Sequence, residues 1–578
     1  MSYEWGPSKY GITLRVIGES DVLSEEETRS LRTSICTVDV EDDERGNFVG
    51  VGLYGGGGVV YYFRHLGSEL RSLLTSVRLV GHNVKYDLHQ LRKWGINVSV
   101  RNIVYDTRLA FYVTDSSQPS VGLKDLAEKY LGITYPHYSD IVTGKGKKKL
   151  TLDKQPVELV ANYNAMDCIA TYRLWRFFER KLSAHQRLYL ETLEMPTMRI
   201  LYEMECRGIK VDVAYLGELN ERWLAEVDAI KKKLIGMAGK EFNPNSPQQV
   251  KEVLLALGLK VKGTDKKHDL FPYRSHKFVK TLLEYKELAK LIGTYTKPLI
   301  ERAMQDEGHR IYTTFKQNTI TGRLSSSDPN LQNIPAKTEK GRQLRRAFVA
   351  KPGHVFVIAD YSQIDLRALA HFSQEPAWMN AFNSDGDPHK LTAAAVFKVP
   401  LEEVTSEQRR TAKTLNFTMA YGSGPDNVAY EVGCSVKDAE AYIHSFWKGL
   451  ASFSSWRAGI REACYRGRGI DTLLRRFIPI PHIRARDEFA SARALREAVS
   501  YIGQGSPAEI MKRAMIRLRM AGYVPVLQVH DELIYEVSED KAEVSTKVIQ
   551  EAMVNAVKLR VPLAVSCGTG YTWAEKKG

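Results

Sequence analysis

Two aspartates close or interrupt apolar runs in the C-terminal half of the chain. Val355-Phe-Val-Ile-Ala-Asp360 is one; Val526-Leu-Gln-Val-His530-Asp531-Glu532-Leu-Ile-Tyr-Glu-Val537 follows it, with 171 positions between the aspartates. The β-branched apolar stretches read as buried strands, so each carboxylate sits at a strand end or in a tight turn. A hairpin-turn Asp is the ordinary reading of either one alone. Side by side, they would form a dianionic pocket, and a buried carboxylate needs a cation or donor to offset its lost hydration. Divalent metal chemistry is the natural inference. Between them lies Gln408-Arg409-Arg410-Thr-Ala-Lys413-Thr-Leu-Asn416-Phe417-Thr-Met-Ala-Tyr421-Gly422. Arg409, Lys413, Phe417 and Tyr421 recur every four residues and form one slowly winding stripe on a helix. Cations followed by aromatics suit a nucleotide, the first holding a triphosphate and the second stacking on base and sugar. A core-facing stripe would carry aliphatic residues at those places instead.

A second acid set lies near the N-terminus. Asp39 and Glu41 are two apart on a strand, so both side chains leave one face. Asn83 and Tyr163 each stand four residues before an aspartate, Asp87 and Asp167, which on a helix places both members on one side. Four acids converging from a strand and two helices can hold a pair of Mg²⁺ or Mn²⁺ ions, the arrangement that activates water for phosphodiester cleavage. An Asp-x-Glu pair alone is a weak signal; the ordered set is much stronger. The basic run Gly144-Lys-Gly-Lys-Lys-Lys149 reads equally as a contact for a single-stranded end or as a solvated loop.

These residues need elements to position them. The 578 residues are enough for roughly three to five domains. Residues 1–185 alternate strand and helix patterns as an α/β unit does. Ile35-Cys-Thr-Val-Asp39 reads as a strand, and Phe48 to Phe63 as a hairpin around Gly55-Gly56-Gly57-Gly58. No Lys-Ser/Thr follows that glycine tract, so it is a turn rather than a phosphate loop. Residues 186–308 are helical. Ser246-Pro247-Gln248-Gln249 has the N-cap, first-turn proline and capping-box glutamine of a helix start. A long helix spans Phe278 to Tyr295 and should stop before Pro298. Lys260 to Lys267 reads as an exposed loop. Residues 309–372 and 496–578 carry the strand segments, with helical sequence between them, so one sheet is assembled from two distant pieces.

The net charge of +14 suits a polyanionic partner. Six scattered cysteines (Cys36, Cys168, Cys206, Cys434, Cys464, Cys567) include no C-x-x-C pair, which argues against a disulfide framework or zinc site. With no apolar run of membrane-spanning length and no signal-peptide pattern, a soluble, cytoplasmic or nucleoid-associated protein is expected.

The N-terminal set resembles the three motifs of the 3′–5′ exonuclease domain attached to family A DNA polymerases, the bacterial polymerase I type. From about residue 190 onward the chain resembles the polymerase core of that family. Asp360-Tyr-Ser-Gln-Ile-Asp-Leu-Arg367 looks like motif A, the stripe at Arg409 motif B and Gln528-Val-His-Asp-Glu532 motif C. Thr321-Gly-Arg-Leu-Ser-Ser-Ser-Asp-Pro-Asn-Leu-Gln-Asn-Ile-Pro335 matches a further long signature. The resemblance implies an α/β and α+β multidomain fold. An RNase H-like exonuclease domain over 1–185 would be followed by a right-hand polymerase, with thumb 186–308, palm 309–372 and 496–578, and fingers 373–495.

It also implies residue roles. Asp360 and Asp531 would hold two catalytic Mg²⁺ ions, with Glu532 an auxiliary acid and Mn²⁺ an alternative ion. The primer 3′-hydroxyl would then attack the α-phosphate in line. Arg409, Lys413 and His389 would take up charge on the leaving pyrophosphate, while Phe417, Tyr421, Gln363 and Asp365 contact the incoming dNTP. Arg323, Asn333, Arg496, Gln504 and His530 would lie along the DNA minor groove or primer end. At the other site Asp39, Glu41, Asp87 and Asp167 would hold two ions and Tyr163 would orient the attacking water. Arg342, Arg345 and Arg346 would meet backbone phosphate or solvent.

Two positions depart from the family pattern: Asp365 replaces a glutamate at the sugar's 2′ side, and Ser500 an asparagine four after Arg496. Phe417, rather than Tyr, resembles members that discriminate against dideoxynucleotides. Primer-template DNA and dNTPs are the implied partners of a monomer, with replication accessory proteins as further candidates and no membrane. The chain begins almost at the exonuclease set, so a 5′-nuclease domain is expected to be missing, as in phage or organelle replicative polymerases. A degradative nuclease with a DNA-binding, non-synthesising polymerase-like half is the competing function. A non-enzymatic DNA-binding protein fails on both acid sets, and the exonuclease set with Phe417 disfavours a single-subunit RNA polymerase.

Overall fold

The N-terminal apolar runs build a six-stranded mixed sheet in the computed structural model, which describes residues 3–118, 121–142, 150–336, 338–384, 386–420, 422–467 and 469–575. Its strands are β1 (Thr13–Ile17), β2 (Ile35–Asp42), β3 (Phe48–Tyr54), β4 (Val59–Phe63), β5 (Arg78–Gly81) and β6 (Ile103–Asp106), in the order β1-β4-β3-β2-β5-β6. β2 lies inside the sheet, antiparallel to β3 and parallel to β5. The β3–β4 hairpin turns through the four glycines, as expected, with Gly56 in the left-handed region at φ 85°.

Three helices matter for this sheet: α1 (Lys85–Lys93), α2 (Leu123–Leu131) and α3 (Val157–Lys181). α3 crosses β2, β3 and β4 and buries Ala161, Ala165 and Ala170 completely, small residues that let it lie close. The sheet answers with Gly52, which is paired with Asp39. A Cβ at Gly52 would stand 2.0 Å from Asn164 Oδ1 and 2.7 Å from Cys168 Sγ, both on α3. Only glycine permits that approach.

This sheet belongs to the first of two units, made of Met1–Cys206, Gln317–Arg323 and Gly469–Pro479; the second comprises Arg207–Lys316, Leu324–Arg468 and Ile480–Gly578. The second unit opens with helices α4 (Val213–Ala238) and α5 (Lys277–Leu291), around a core that includes Leu234, Val253, Phe278 and Leu282. The helix expected to end before Pro298 does not end there. After α5 the chain makes one wider π turn over Ile292–Thr296 and resumes as a helix over Lys297–Ala303, with Pro298 in its first turn. Inside a helix a proline removes one hydrogen bond and its ring crowds the carbonyl four residues back, and the wider turn just before Pro298 is where the helix gives way. Ser246 does cap its helix, accepting from Gln249 N at 3.4 Å. The Gln249 side chain, however, accepts from Asn243 N at 2.7 Å, so the reciprocal half of the capping box is absent.

Four antiparallel strands, β7 (His354–Tyr361), β8 (Leu527–Val529), β9 (Glu532–Ser538) and β10 (Val565–Gly570), form the second unit's main sheet in the order β8-β9-β7-β10. β7 has a partner on each side, and Val355 through Ala359 are all buried. Between β7 and β8 in sequence run α6 (Ile364–Ser373), α7 (Pro388–Phe397), α8 (Ser406–Ala420) and α9 (Glu488–Met520). A core that includes Trp378, Leu415, Phe446 and Phe453 joins the helices of this region. All six cysteines are free, and no described helix is long and apolar enough to cross a membrane.

The closeness of β3 to α3 can be tested directly. Gly52→Ala should cost about 1–3 kcal/mol of stability by overpacking. Gly57→Ala, where a Cβ would meet nothing within 4 Å, should stay within about 0.5 kcal/mol. Denaturant titrations of the two variants give the comparison, and equal costs would contradict the packing account.

Candidate active sites

In the first unit, strand alternation on β2 and four-residue spacing on α3 do what the sequence implied. One oxygen from each of Asp39, Glu41 and Asp167 lies within 4.8 Å of the other two. Asp87 is buried beside them but outside this trio, with one oxygen accepting from Val40 N at 3.1 Å. The expected Asn83–Asp87 helical face is not formed. Asn83 has φ 64° and precedes α1, because Val84 N donates to Asp106 Oδ2 at 2.9 Å as the chain turns into the helix.

Three neighbours complete the cluster that sequence reasoning did not find. Asn164 Nδ2 donates to Asp39 Oδ2 at 2.8 Å and to the Asp39 carbonyl at 3.1 Å. Tyr135 Oη donates to Asp167 Oδ1 at 2.6 Å. Lys124 Nζ, from the first turn of α2, lies 2.8 and 3.1 Å from the two Asp167 oxygens and 3.0 Å from Tyr163 Oη. Asn164 could have been found, since it stands three before Asp167 on the same helix. Lys124 and Tyr135 lie in no motif and are brought in only by the fold.

Burial raises the Glu41 carboxyl to about 8, with the Asp167 charge adding to it. Burial also pushes Asp39 well up, reinforced by Asp167 and Glu41 and opposed by Lys124, and it raises Asp87. The Tyr163 phenol is raised by burial and by Asp167, so it stays protonated and able to donate. An all-oxygen set with surplus negative charge fits a hard divalent cation such as Mg²⁺ or Mn²⁺.

In the second unit the two aspartates meet through the main chain. Tyr361 N donates to the Asp531 carbonyl at 3.1 Å, and Asp360 pairs in register with Glu532. Asp531 occupies the β8–β9 turn, where the exposed His530 takes a left-handed φ of 53°. Gln528 donates through its amide to the His530 carbonyl, and Gln332 Nε2 donates to Gln528 Oε1 at 2.7 Å, so the turn is braced by the short helix Leu331–Asn333. Asn333 itself is exposed. Trp573 Nε1 donates to Glu532 Oε1 at 2.9 Å, and Arg345 Nη1 lies 3.7 Å from the same oxygen. The Arg345 guanidinium covers the Trp573 ring at 4.1 Å. Arg345 therefore points inward rather than to solvent, whereas Arg342 pairs with Glu339 at 2.8 Å on the surface and Arg346 is exposed.

On α8, Arg409 is paired with Asp387, Lys413 is exposed and half-buried Phe417 lies 6.0 Å from the His389 ring. Tyr421 and the run Gly144–Lys149 lie outside the described residues. His389 is 1 % exposed, and burial lowers it to about 4, with Lys413 and Arg409 lowering it further against Asp387. Its ring is thus neutral near pH 7. Nδ1 accepts from Asn416 Nδ2 at 2.9 Å, which leaves the proton on Nε2, a buried atom with no partner among the described residues. His389 is accordingly a donor rather than a cation. Asp365 is buried in the first turn of α6, preceded by Gln363 at φ 55°. Arg496, Ser500 and Gln504 share a face of α9, and a Cβ at Gly422 would stand 2.5 Å from Arg496 Cγ. Arg323 falls in the first unit, in a turn where Thr319 Oγ1 donates to its carbonyl at 2.7 Å.

The sequence pattern of DNA polymerase family A matches residues 213–575, and that of the 3′–5′ exonuclease matches residues 54–183. The second match begins beyond Asp39 and Glu41, which geometry alone joins to Asp167. The chain is 37% identical over 515 residues to DNA polymerase I of Pseudomonas aeruginosa, covering 86% of this chain and 56% of that protein. It is 38% identical over 422 residues to the thermostable DNA polymerase I of Thermus thermophilus, covering 70% and 51%. The chain spans about half the length of the curated relatives it matches. Among solved structures, the POL domain of Pol1 from M. smegmatis in complex with DNA primer-template and dNTP superposes with a TM-score of 0.83 at 30% identity, over 97% of this chain and 99% of that one.

The acid cluster makes stability depend on pH. Glu41's value of about 8 in the fold lies above the ordinary 4.5, so the folded chain holds its proton more tightly than the unfolded chain does. The stabilisation is full below about pH 4.5 and is lost as pH rises through 8. In EDTA the thermal midpoint should fall between pH 5 and 8, Glu41→Gln should flatten that fall, and Mg²⁺ at pH 8 should raise the midpoint. A pH-independent midpoint would contradict the assignment.

Proposed function

The chain belongs to DNA polymerase family A, and on that footing we propose that it extends a primer 3′ end against a template with dNTPs and removes 3′-terminal nucleotides at a second site. The meeting of Asp360 with the Asp531 turn, in the unit that also carries the cations of α8, is the observation on which the synthetic half rests. The converging Asp39, Glu41 and Asp167 support the hydrolytic half. Residues 309–372 and 496–578 serve as palm, 373–495 as fingers, 186–308 as thumb and 1–185 as the exonuclease domain.

Asp360 and Asp531 would hold divalent cations, Mg²⁺ by preference, and Asp39, Glu41 and Asp167 with Asp87 would do the same at the second site. Bound there, such ions would supply a more acidic attacking oxygen and neutralise charge on the leaving one. The protein's own groups do the rest. Arg409 and Lys413 hold the triphosphate of the incoming nucleotide, and His389 donates to it through Nε2. Phe417, Tyr421 and Gln363 pack against its sugar and base, with Asp365 at the 2′ side. Arg323, Asn333, Arg496, Gln504 and His530 contact the primer end and minor groove, where acceptors common to all correct pairs permit a geometry check. Glu532, held by Trp573 and Arg345, fixes the Asp531 turn beside the reacting atoms. Tyr163 orients the attacking water at the editing site.

Primer extension with dNTPs and Mg²⁺ tests the assignment. Asp360→Asn or Asp531→Asn should reduce extension by roughly a thousandfold or more while 3′ degradation persists, and Asp39→Ala with Glu41→Ala should do the reverse. A wild type that degrades 3′ ends but never extends would show a nuclease with a non-synthesising polymerase-like half. Asp365 is one methylene shorter than the family's glutamate, and we expect a looser sugar gate. Asp365→Glu should raise dNTP-over-rNTP selectivity in single-nucleotide incorporation about tenfold, as one methylene in a pocket can. Unchanged selectivity would remove Asp365 from that role.

A further inference from the structure

Lys124 is oddly placed for an ordinary surface lysine. It occupies the first turn of α2, where the helix dipole disfavours a cation. Its side chain is 13% exposed, although lysine seldom gives up hydration without a partner. The ammonium has three donors and no acceptor. Here they meet both oxygens of Asp167 and the Tyr163 hydroxyl, and the Tyr163 and Tyr135 rings lie 4.3 and 4.8 Å from Nζ. Tyr135 Oη holds Asp167 from another side at 2.6 Å.

Two consequences follow from that donor count. The Tyr163 oxygen accepts from Lys124, so its own O–H must point elsewhere and is available as a donor to water or phosphate. Asp167, in turn, already accepts from Lys124 at both oxygens, so a divalent cation must compete with the ammonium for it. We propose that Lys124 is a positioning residue of the exonuclease site, an internal counter-cation that holds Asp167 until a metal ion displaces it and that sets the donor direction of Tyr163. The inference rests on the exonuclease reading for its effect on hydrolysis, but its effect on metal binding is independent of that reading. It sets two requirements in opposition: the lysine weakens metal binding and strengthens the step that follows.

That opposition separates the proposal from a purely structural role, in which loss of Lys124 would weaken both. Mn²⁺ binding is measured by isothermal titration calorimetry in the full chain carrying Asp360→Asn and Asp531→Asn, which silences the other acid pair. Hydrolysis of a single-stranded oligonucleotide from its 3′ end is measured separately as kcat and KM. Lys124→Gln should bind Mn²⁺ at least about tenfold more tightly, because one nearby positive charge is gone. Its kcat should fall about a hundredfold with KM little changed. Lys124→Arg keeps the charge, so its Mn²⁺ affinity should stay within about threefold of wild type. It also guards against a folding defect in the Gln variant. Unchanged or weaker Mn²⁺ binding in Lys124→Gln would overturn the proposal, as would an unchanged kcat. A wild type that degrades no 3′ ends, with the tenfold gain in Mn²⁺ affinity intact, would defeat the exonuclease reading and still support the counter-cation.

Discussion

Carboxylate oxygens held within 4.8 Å of one another repel by about 3–4 kcal/mol per ionised pair at an effective dielectric of 20. The architecture around β2 and α3 is arranged against that repulsion. The glycine opposite Asp39 lets α3 come close enough for Asn164 to reach Asp39. The same approach sets Asp167 against Tyr135 and Lys124. Helix, hairpin and strand are each placed so that an acid finds a donor. Where burial outweighs the donors the carboxyl holds its proton more tightly, as the raised Glu41 value records.

The second site handles its charges by a different route. Asp360 and Asp531 are half-buried rather than enclosed, so water does part of the work that donors do at the first site. Their separation is set by a backbone hydrogen bond and a strand register, which side-chain substitution barely touches. The side chains that matter there are the ones behind the turn. Trp573 and Arg345 hold Glu532, while Gln528, itself held by Gln332, donates to the His530 carbonyl. Neutral His389 offers a fixed donor without adding to the charge that Arg409 and Lys413 already bring.

Local periodicity explains what could be read from the sequence. The Asp39/Glu41 face, the Tyr163/Asp167 spacing and the Arg409/Lys413/Phe417 part of the stripe each lie within one element, whose repeat dictates their direction. The β3–β4 hairpin and the two-piece sheet followed from the same patterns. What escaped is contact between elements. Lys124 and Tyr135 reach Asp167 across 43 and 32 positions, and Trp573 reaches Glu532 across 41, with no spacing rule to announce them. Asn83 misled because a left-handed residue broke a helix pattern, and Pro298 because a wider turn absorbed it. Arg345, outwardly a basic residue in a basic run, was drawn inward by an aromatic ring.

The placement of β7 has a consequence for how the chain is made. Both of its neighbours, β9 and β10, come from beyond residue 531, so at the ribosome the strand emerges with two bare edges. The 171 residues that separate Asp360 from Asp531 take roughly ten to thirty seconds to synthesise at 5–20 residues per second. For that interval Val355-Phe-Val-Ile-Ala is an apolar segment of high β-propensity without its sheet, the kind of stretch that aggregates or recruits chaperones. The strand that carries Asp360 therefore waits as a bare apolar segment until its partner strands arrive.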